Sequence, residues 1–216
     1  MLRNYDAIAK EIGCDSSRQS IIDHLDSVLP NIWHDDYLKM THSPNLLTVT
    51  FGDGKRLGQF CRYMFDHASA HPELGHGPED ILHHVPEDIL HETEDRVVAV
   101  WGTSRYQASD TRDQPRMKGF LRNVWARNYG SHDRGHFFAH TMGGGLDINL
   151  FPQLGRINRT GLWREMETYC SSNPGTFCFV RPLYVDQTWR PRRLEYGIFK
   201  MALGRPPTFW GNIFEN

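Results

Sequence analysis

The sequence predicts a mixed α+β chain, a larger domain over residues 96–216 preceded by a mainly helical extension over residues 1–95. Three observations carry this expectation: an amphipathic run at 16–29, β-branched and aromatic runs at 44–51, 96–101, 175–185 and 194–201, and a further helical stretch at 159–170 set among them. At 216 residues the chain is long enough for one sizeable core and an appendage. Its 39% hydrophobic and 23% charged residues exclude disordered and fibrous classes. No apolar run approaches the ~20 residues of a membrane span. The first residues, Met1 to Asp6, lack the apolar stretch of a secretory signal. The expectation is a protein with no membrane partner, cytoplasmic as made, exported only by a machine that reads other signals. Cys14, Cys61, Cys170 and Cys178 form no Cys-x-x-Cys pair and read as reduced thiols, with no bridge expected between Cys170 and Cys178.

In chain order, Ser16 and Ser17 stand where an N-cap belongs. Ile21, Ile22, Leu25, Val28 and Leu29 then recur at helical spacing before Pro30, which is expected to end the helix. Residues 44–51 read as a strand entering the turn at Gly52 and Gly54. Residues 56–71 read as a helix with Leu57, Phe60, Cys61, Met64 and Phe65 on one face. A direct repeat at 78–83 and 86–91, Pro-Glu-Asp-Ile-Leu-His, predicts two short tandem helices, because proline and acids both suit a first helical turn. His71, His76, His83, His84 and His91 surround it, but their spacing matches no compact ligand motif and they are assigned solvated or capping roles. Residues 96–101 form the next strand, followed by a polar loop at 102–114. In 116–127, Met117, Phe120, Leu121, Val124 and Trp125 alternate with cations in a pattern that fits helix and strand equally.

Charge divides the chain. Residues 1–100 hold 8 Lys+Arg against 17 Asp+Glu, a net charge of −9, whereas residues 101–216 hold 16 against 9, a net charge of +7. A basic half can hold a polyanion, although sixteen cations can equally well solvate a surface.

The chemistry is concentrated in that basic half. Phosphodiester hydrolysis needs a base, a cation to neutralise developing charge, and a donor for the phosphate. In Asp133-Arg134-Gly135-His136, the histidine is the candidate base, and Arg134 shares its face if the segment is extended. Downstream, Asn149-Leu-Phe-Pro152-Gln153 leads to Asn158, before a helical run containing Trp163 and Glu167. An asparagine beside a helix start is ordinarily a cap; the upstream motif favours an oxygen ligand for a hard divalent cation instead.

These three ordered fragments resemble the DNA/RNA non-specific endonucleases, the ββα-metal or His-Me finger nucleases, over roughly residues 96–200. The resemblance implies a ββα-metal nuclease core. It implies that His136 activates water, that Asn158 binds one magnesium (manganese being a substitute), and that Glu167 orders the hydrated metal. It further implies that Arg134 contacts phosphate and that Asn149 supports the site. Two departures stand out. Asn158 and Trp163 are five residues apart where the family has four, as though Thr160 were inserted, so Glu165 competes with Glu167; Glu167 keeps the four-residue spacing from the tryptophan and is preferred. Ser171 occupies a position where many members carry a phosphate-binding arginine, leaving Arg122, Arg127 and Arg159 as candidate substitutes. His132 and His140 flank the motif and are assigned supporting roles, as is Asp133.

The expected activity is therefore magnesium-dependent, non-specific cleavage of DNA, with RNA as a second substrate, in a bacterial effector or defence nuclease. The competing expectation is a nucleic-acid-binding or regulatory module of the same fold without turnover. A zinc hydrolase using His132, His136 and His140 requires a helix that Gly130 and Gly135 disfavour. The acidic N-terminal region is the expected docking surface for an inhibitor or delivery partner, or a cover for the basic site.

Overall fold

The computed structural model describes residues 4–41, 46–50, 61–66, 96–106, 112–120, 122–146, 149–185 and 188–216. Along the chain run α1 (Tyr5–Glu11), α2 (Arg18–Thr41), β1 (Leu46–Thr50), β2 (Cys61–Asp66), β3 (Arg96–Thr103), α3 (Gln114–Gly119), α4 (Arg122–Asn128) and β4 (Asp133–His136). A 3-10 turn (His140–Met142) follows, then β5 (Leu150–Gln153), α5 (Gly155–Arg159), α6 (Gly161–Ser172), β6 (Phe177–Leu183), β7 (Arg193–Ala202) and β8 (Arg205–Glu215). Helix and sheet are thus mixed in an α+β arrangement. No helix among the described residues is long and apolar enough to cross a membrane.

Six strands make one antiparallel sheet in the order β1-β2-β3-β6-β7-β8, and β4 and β5 form a separate hairpin. The period of two along each strand sorts side chains to opposite faces. Phe177 and Phe179 of β6 and Phe199 of β7 join a core with Tyr5 and Ile8 of α1 and Leu25, Leu29 and Trp33 of α2. Cys178, Val180, Leu194, Tyr196 and Ile198 join the other core, with Phe137, Phe151, Trp163 and Met166. In β3 the alternation slips. The register with β2 shifts so that Ala99 pairs with Met64 and Val97 with Phe65, and both Val98 and Ala99 belong to the α1–α2 core. Residues on both sides of position 95 therefore build one sheet and one core.

Several elements differ from the sequence expectation. Helix α2 does not stop at Pro30 but continues to Thr41 with the proline inside. An interior proline costs about 3 kcal/mol. The continuation buries Trp33 against Trp101 at 4.8 Å and Phe179 at 5.5 Å between ring centroids, offsetting that cost. Cys61–Asp66 is a strand, not part of a helix, because β1 and β3 offer it hydrogen-bonding edges on both sides. Among the described residues of 1–95, the two helices α1 and α2 are thus accompanied by two strands, β1 and β2. Residues 116–127 resolve into two short helices, α3 and α4. The strands expected at 44–51, 96–101, 175–185 and 194–201 are present as β1, β3, β6 and β7. The tandem helices and histidines of 71–91 lie outside the described residues.

Between the adjacent strands β3 and β6 the chain makes a long excursion that carries α3, α4, the β4–β5 hairpin, α5 and α6. The hairpin and α6 pack on one sheet face through Phe137, Phe151, Trp163 and Met166. Phe120, Trp125, Tyr129 and Trp189 form a satellite cluster that anchors α3 and α4.

Candidate active site

The β4–β5 hairpin supplies the first group of site residues. Asp133 pairs with Gln153, Gly135 with Phe151 and His136 with Leu150. A Cβ at position 135 would lie 2.1 Å from Gln153 Oε1, so only glycine lets the Gln153 side chain cross the strand there. Asn149, fully buried, ties the loop after His136 to the start of β5. Its Nδ2 donates to Phe138 O at 2.6 Å and Gly145 O at 3.0 Å, and its Oδ1 accepts from Phe138 N at 2.9 Å. Both amide hydrogens are spent on backbone, so Asn149 holds the segment behind His136 instead of reaching outward.

Helices α5 and α6 supply the second group. Thr160 between them is extended, at φ −145° and ψ 169°, and Gly161 follows at φ +75°, a left-handed conformation that suits glycine. The helical run expected from 159 to 170 is thus broken at Thr160 and Gly161, between Asn158 and Trp163. Asn158 lies near the end of α5, and the α6 register places Trp163 and Glu167 one turn apart on its buried side. Trp163 Nε1 donates to Glu167 Oε1 at 3.0 Å and Arg164 Nη1 to Oε2 at 3.0 Å. Glu165, by contrast, is exposed. Burial pushes the Glu167 carboxyl above its ordinary range, opposed by the bonds from Arg164 and Trp163.

Asp133 orients Asn158. Its Oδ2 accepts from Asn158 Nδ2 at 3.0 Å and from Arg159 Nε at 2.9 Å, while Oδ1 accepts from Arg159 Nη2. The Arg159 fork holds the Asp133 carboxyl below its ordinary range. With its nitrogen committed to Asp133, the Asn158 amide necessarily directs its oxygen elsewhere.

His136 is buried, and its Nε2 has no hydrogen-bond partner among the described residues. Burial drives its pKa down to about 3, helped by Arg112 and then by His140, so the imidazole is neutral at physiological pH. Arg112 is the residue that sequence reasoning missed. Half-buried in the polar loop before α3, it interacts electrostatically with both His136 and Glu167, while its Nε finds no partner among the described residues. Nothing in a loop without periodicity singled it out.

The other cations are distributed differently. Arg134 donates to Phe120 O and lies 4.2 Å over the Trp125 ring, tying β4 to the α3–α4 segment. Arg159 is engaged by Asp133, whereas Arg122 and Arg127 are exposed on α4. His132 sits edge-on to Tyr129 and contacts Ser131 Oγ at 3.3 Å through Nδ1. His140 begins the 3-10 turn and is buried. His132, His136 and His140 therefore occupy a loop, a strand and a 3-10 turn, not one helical face. Among the described residues, no three His, Cys, Asp or Glu side chains converge to hold a metal.

Chemically, the site offers a neutral buried imidazole that feels the charge of a guanidinium, a buried carboxyl group and an amide whose nitrogen is held by Asp133. A single neutral oxygen, with the Asp133 carboxylate against the same amide, fits a hard cation that retains most of its water shell. Asn158 would hold it, with Glu167 bonding to its waters. No protein-family model matches the chain, and no curated protein is significantly similar to it.

Proposed function

We propose that this chain is a magnesium-dependent endonuclease with a ββα-metal core that hydrolyses phosphodiester bonds of DNA, and of RNA, without sequence preference. The observation that carries this reading is the His136 imidazole, held neutral and buried with Nε2 unpartnered, on the hairpin that also orients Asn158 through Asp133. Such an imidazole is unprotonated at neutral pH, and the negative charge of a phosphate drawn in beside it would raise its basicity toward that of a working base.

His136 takes a proton from water, the water oxygen forms a bond to phosphorus, and the bond from phosphorus to the departing ester oxygen breaks, that oxygen leaving with a proton from solvent. Asn158 would hold a divalent cation, which when bound would supply charge neutralisation for the reaction. Arg112 stabilises the negative charge gathered on the phosphoryl oxygens, since its positive charge already acts on both the base and Glu167. Glu167, fixed by Trp163 and Arg164, accepts hydrogen bonds from ordered water. The exposed Arg122 and Arg127 contact the backbone of a longer strand, which accounts for affinity without base information.

Supercoiled plasmid incubated with the protein in magnesium, and again in excess EDTA, tests this reading. Nicking in the first and none in the second is expected, with Asn158→Ala inactive at the same metal concentration. Equal nicking with and without EDTA, or no nicking at all, refutes it.

A further inference from the structure

Directly after β8, Asn216 is buried although Glu215 beside it is exposed. Its side chain binds backbone groups from separate stretches of chain. Nδ2 donates to Pro152 O and to Pro191 O, each at 2.9 Å, and Oδ1 accepts from Leu154 N at 2.9 Å. Its own N–H donates to Arg192 O at 2.8 Å. Every hydrogen-bonding group of this amide thus has a partner, as expected of a buried polar side chain fixed in one orientation.

Two of those partners bracket Gln153, at the corner where β5 passes into α5. Leu154 is the capping residue of α5, and its carbonyl accepts the N–H of Asn158 at 3.1 Å and of Ile157 at 2.9 Å. A single residue therefore stands between Asn216 Oδ1, bound to the Leu154 N–H, and the Asn158 N–H, bound to the Leu154 carbonyl. Asp133 fixes the Asn158 side chain from one direction, and this link fixes its backbone from another.

We infer that Asn216 is a positioning residue for the cation-binding amide of Asn158. The inference rests on the reading of Asn158 as a magnesium ligand given above. A cation with one main protein ligand depends on the placement of that ligand, and removal of an outer partner of a metal ligand typically weakens binding about 10–100-fold. Asn216 makes such a contribution although nothing near it in sequence resembles a site.

The test is calorimetric titration of the full chain with manganese alone, without nucleic acid, alongside thermal melting. Five proteins are compared: the parent, Asn158→Ala, Asn216→Ala, Leu154→Pro and Ile8→Ala. Leu154 has φ −61°, which proline adopts, so Leu154→Pro severs the same hydrogen bond from its donor side with the backbone conformation retained. It serves as the second variant should Asn216→Ala fail to fold. Ile8→Ala removes packing on the opposite sheet face and controls for general loss of stability.

Asn158→Ala should abolish the saturable manganese site. Asn216→Ala and Leu154→Pro should weaken it about tenfold, and Ile8→Ala should melt earlier with affinity unchanged. Parent-like affinity in Asn216→Ala and Leu154→Pro, with the site lost in Asn158→Ala, overturns this inference and leaves the proposed function standing. Equal weakening in Ile8→Ala also overturns it. No saturable site in the parent overturns both.

Discussion

The two faces of the six-stranded sheet are built from different materials. Towards α1 and α2 the sheet presents closely packed aromatics, with Phe179 tilted against Tyr5 at 4.8 Å and Trp33 at 5.5 Å. Towards the β4–β5 hairpin it supports a core whose margin holds buried polar groups: His136, Asn149, Gln153 and Glu167. Burying apolar area stabilises a fold, whereas burying a polar atom without a partner costs about 1–3 kcal/mol. His136 Nε2 and both amide atoms of Gln153 are in that second condition among the described residues. One face therefore supplies the stability that the other expends on groups suited to chemistry.

The comparison can be broken most directly at its extremes. His136→Ala should lower the rate of magnesium-dependent DNA cleavage by about 10²–10⁴-fold, the usual contribution of a general base. On the opposite face, Leu25→Ala should cost about 2–5 kcal/mol in denaturant unfolding while cleavage per folded molecule stays at the parent level. Reduced turnover of the folded Leu25→Ala protein would show that the two faces are coupled.

A smaller effect sharpens the account of the site itself. Arg112→Gln should reduce the cleavage rate about 10²-fold with little change in thermal stability, because the guanidinium is half-buried and acts on developing charge. An unaltered rate would remove Arg112 from the mechanism.

Acid stability offers a further test of the buried imidazole. His136 titrates near 6.5 when unfolded and at about 3 in the folded protein. Between those values the unfolded chain takes up a proton that the folded chain refuses, so stability is lost as pH falls through this window. Melting of parent and His136→Gln from pH 7 to pH 4 should show the parent losing more; parallel curves would mean that the imidazole is not held neutral by burial.

What the sequence made legible follows the range of each interaction. The aromatic strands and the helical stretch that carries Trp163 are local patterns of period two or four, readable without knowing their partners, whereas the extended form of 133–136 and the pairing of Trp163 with Glu167 were expected only from the resemblance. Pro30 misled because a local helix-breaking rule was outweighed by Trp33 packing on residues far along the chain. Residues 61–66 misled because their apolar spacing suits a helix, while the two sheet edges that claim them are supplied by tertiary structure. Arg112 and Asn216 were invisible for a related reason. Arg112 acts through proximity to a strand and a helix much later in the sequence. Asn216 acts through backbone groups around positions 153 and 191, which carry no side-chain signature.

The proposed division of labour assigns phosphodiester chemistry to the hairpin face and stability to the opposite face. Its most direct test is one plasmid-cleavage assay in magnesium with His136→Ala and parent protein, each paired with its melting temperature. The account predicts a His136→Ala protein that melts at or above the parent temperature, since a buried unpartnered nitrogen has been removed, and no longer cuts DNA at a comparable rate. Cleavage by folded His136→Ala at the parent rate would contradict it.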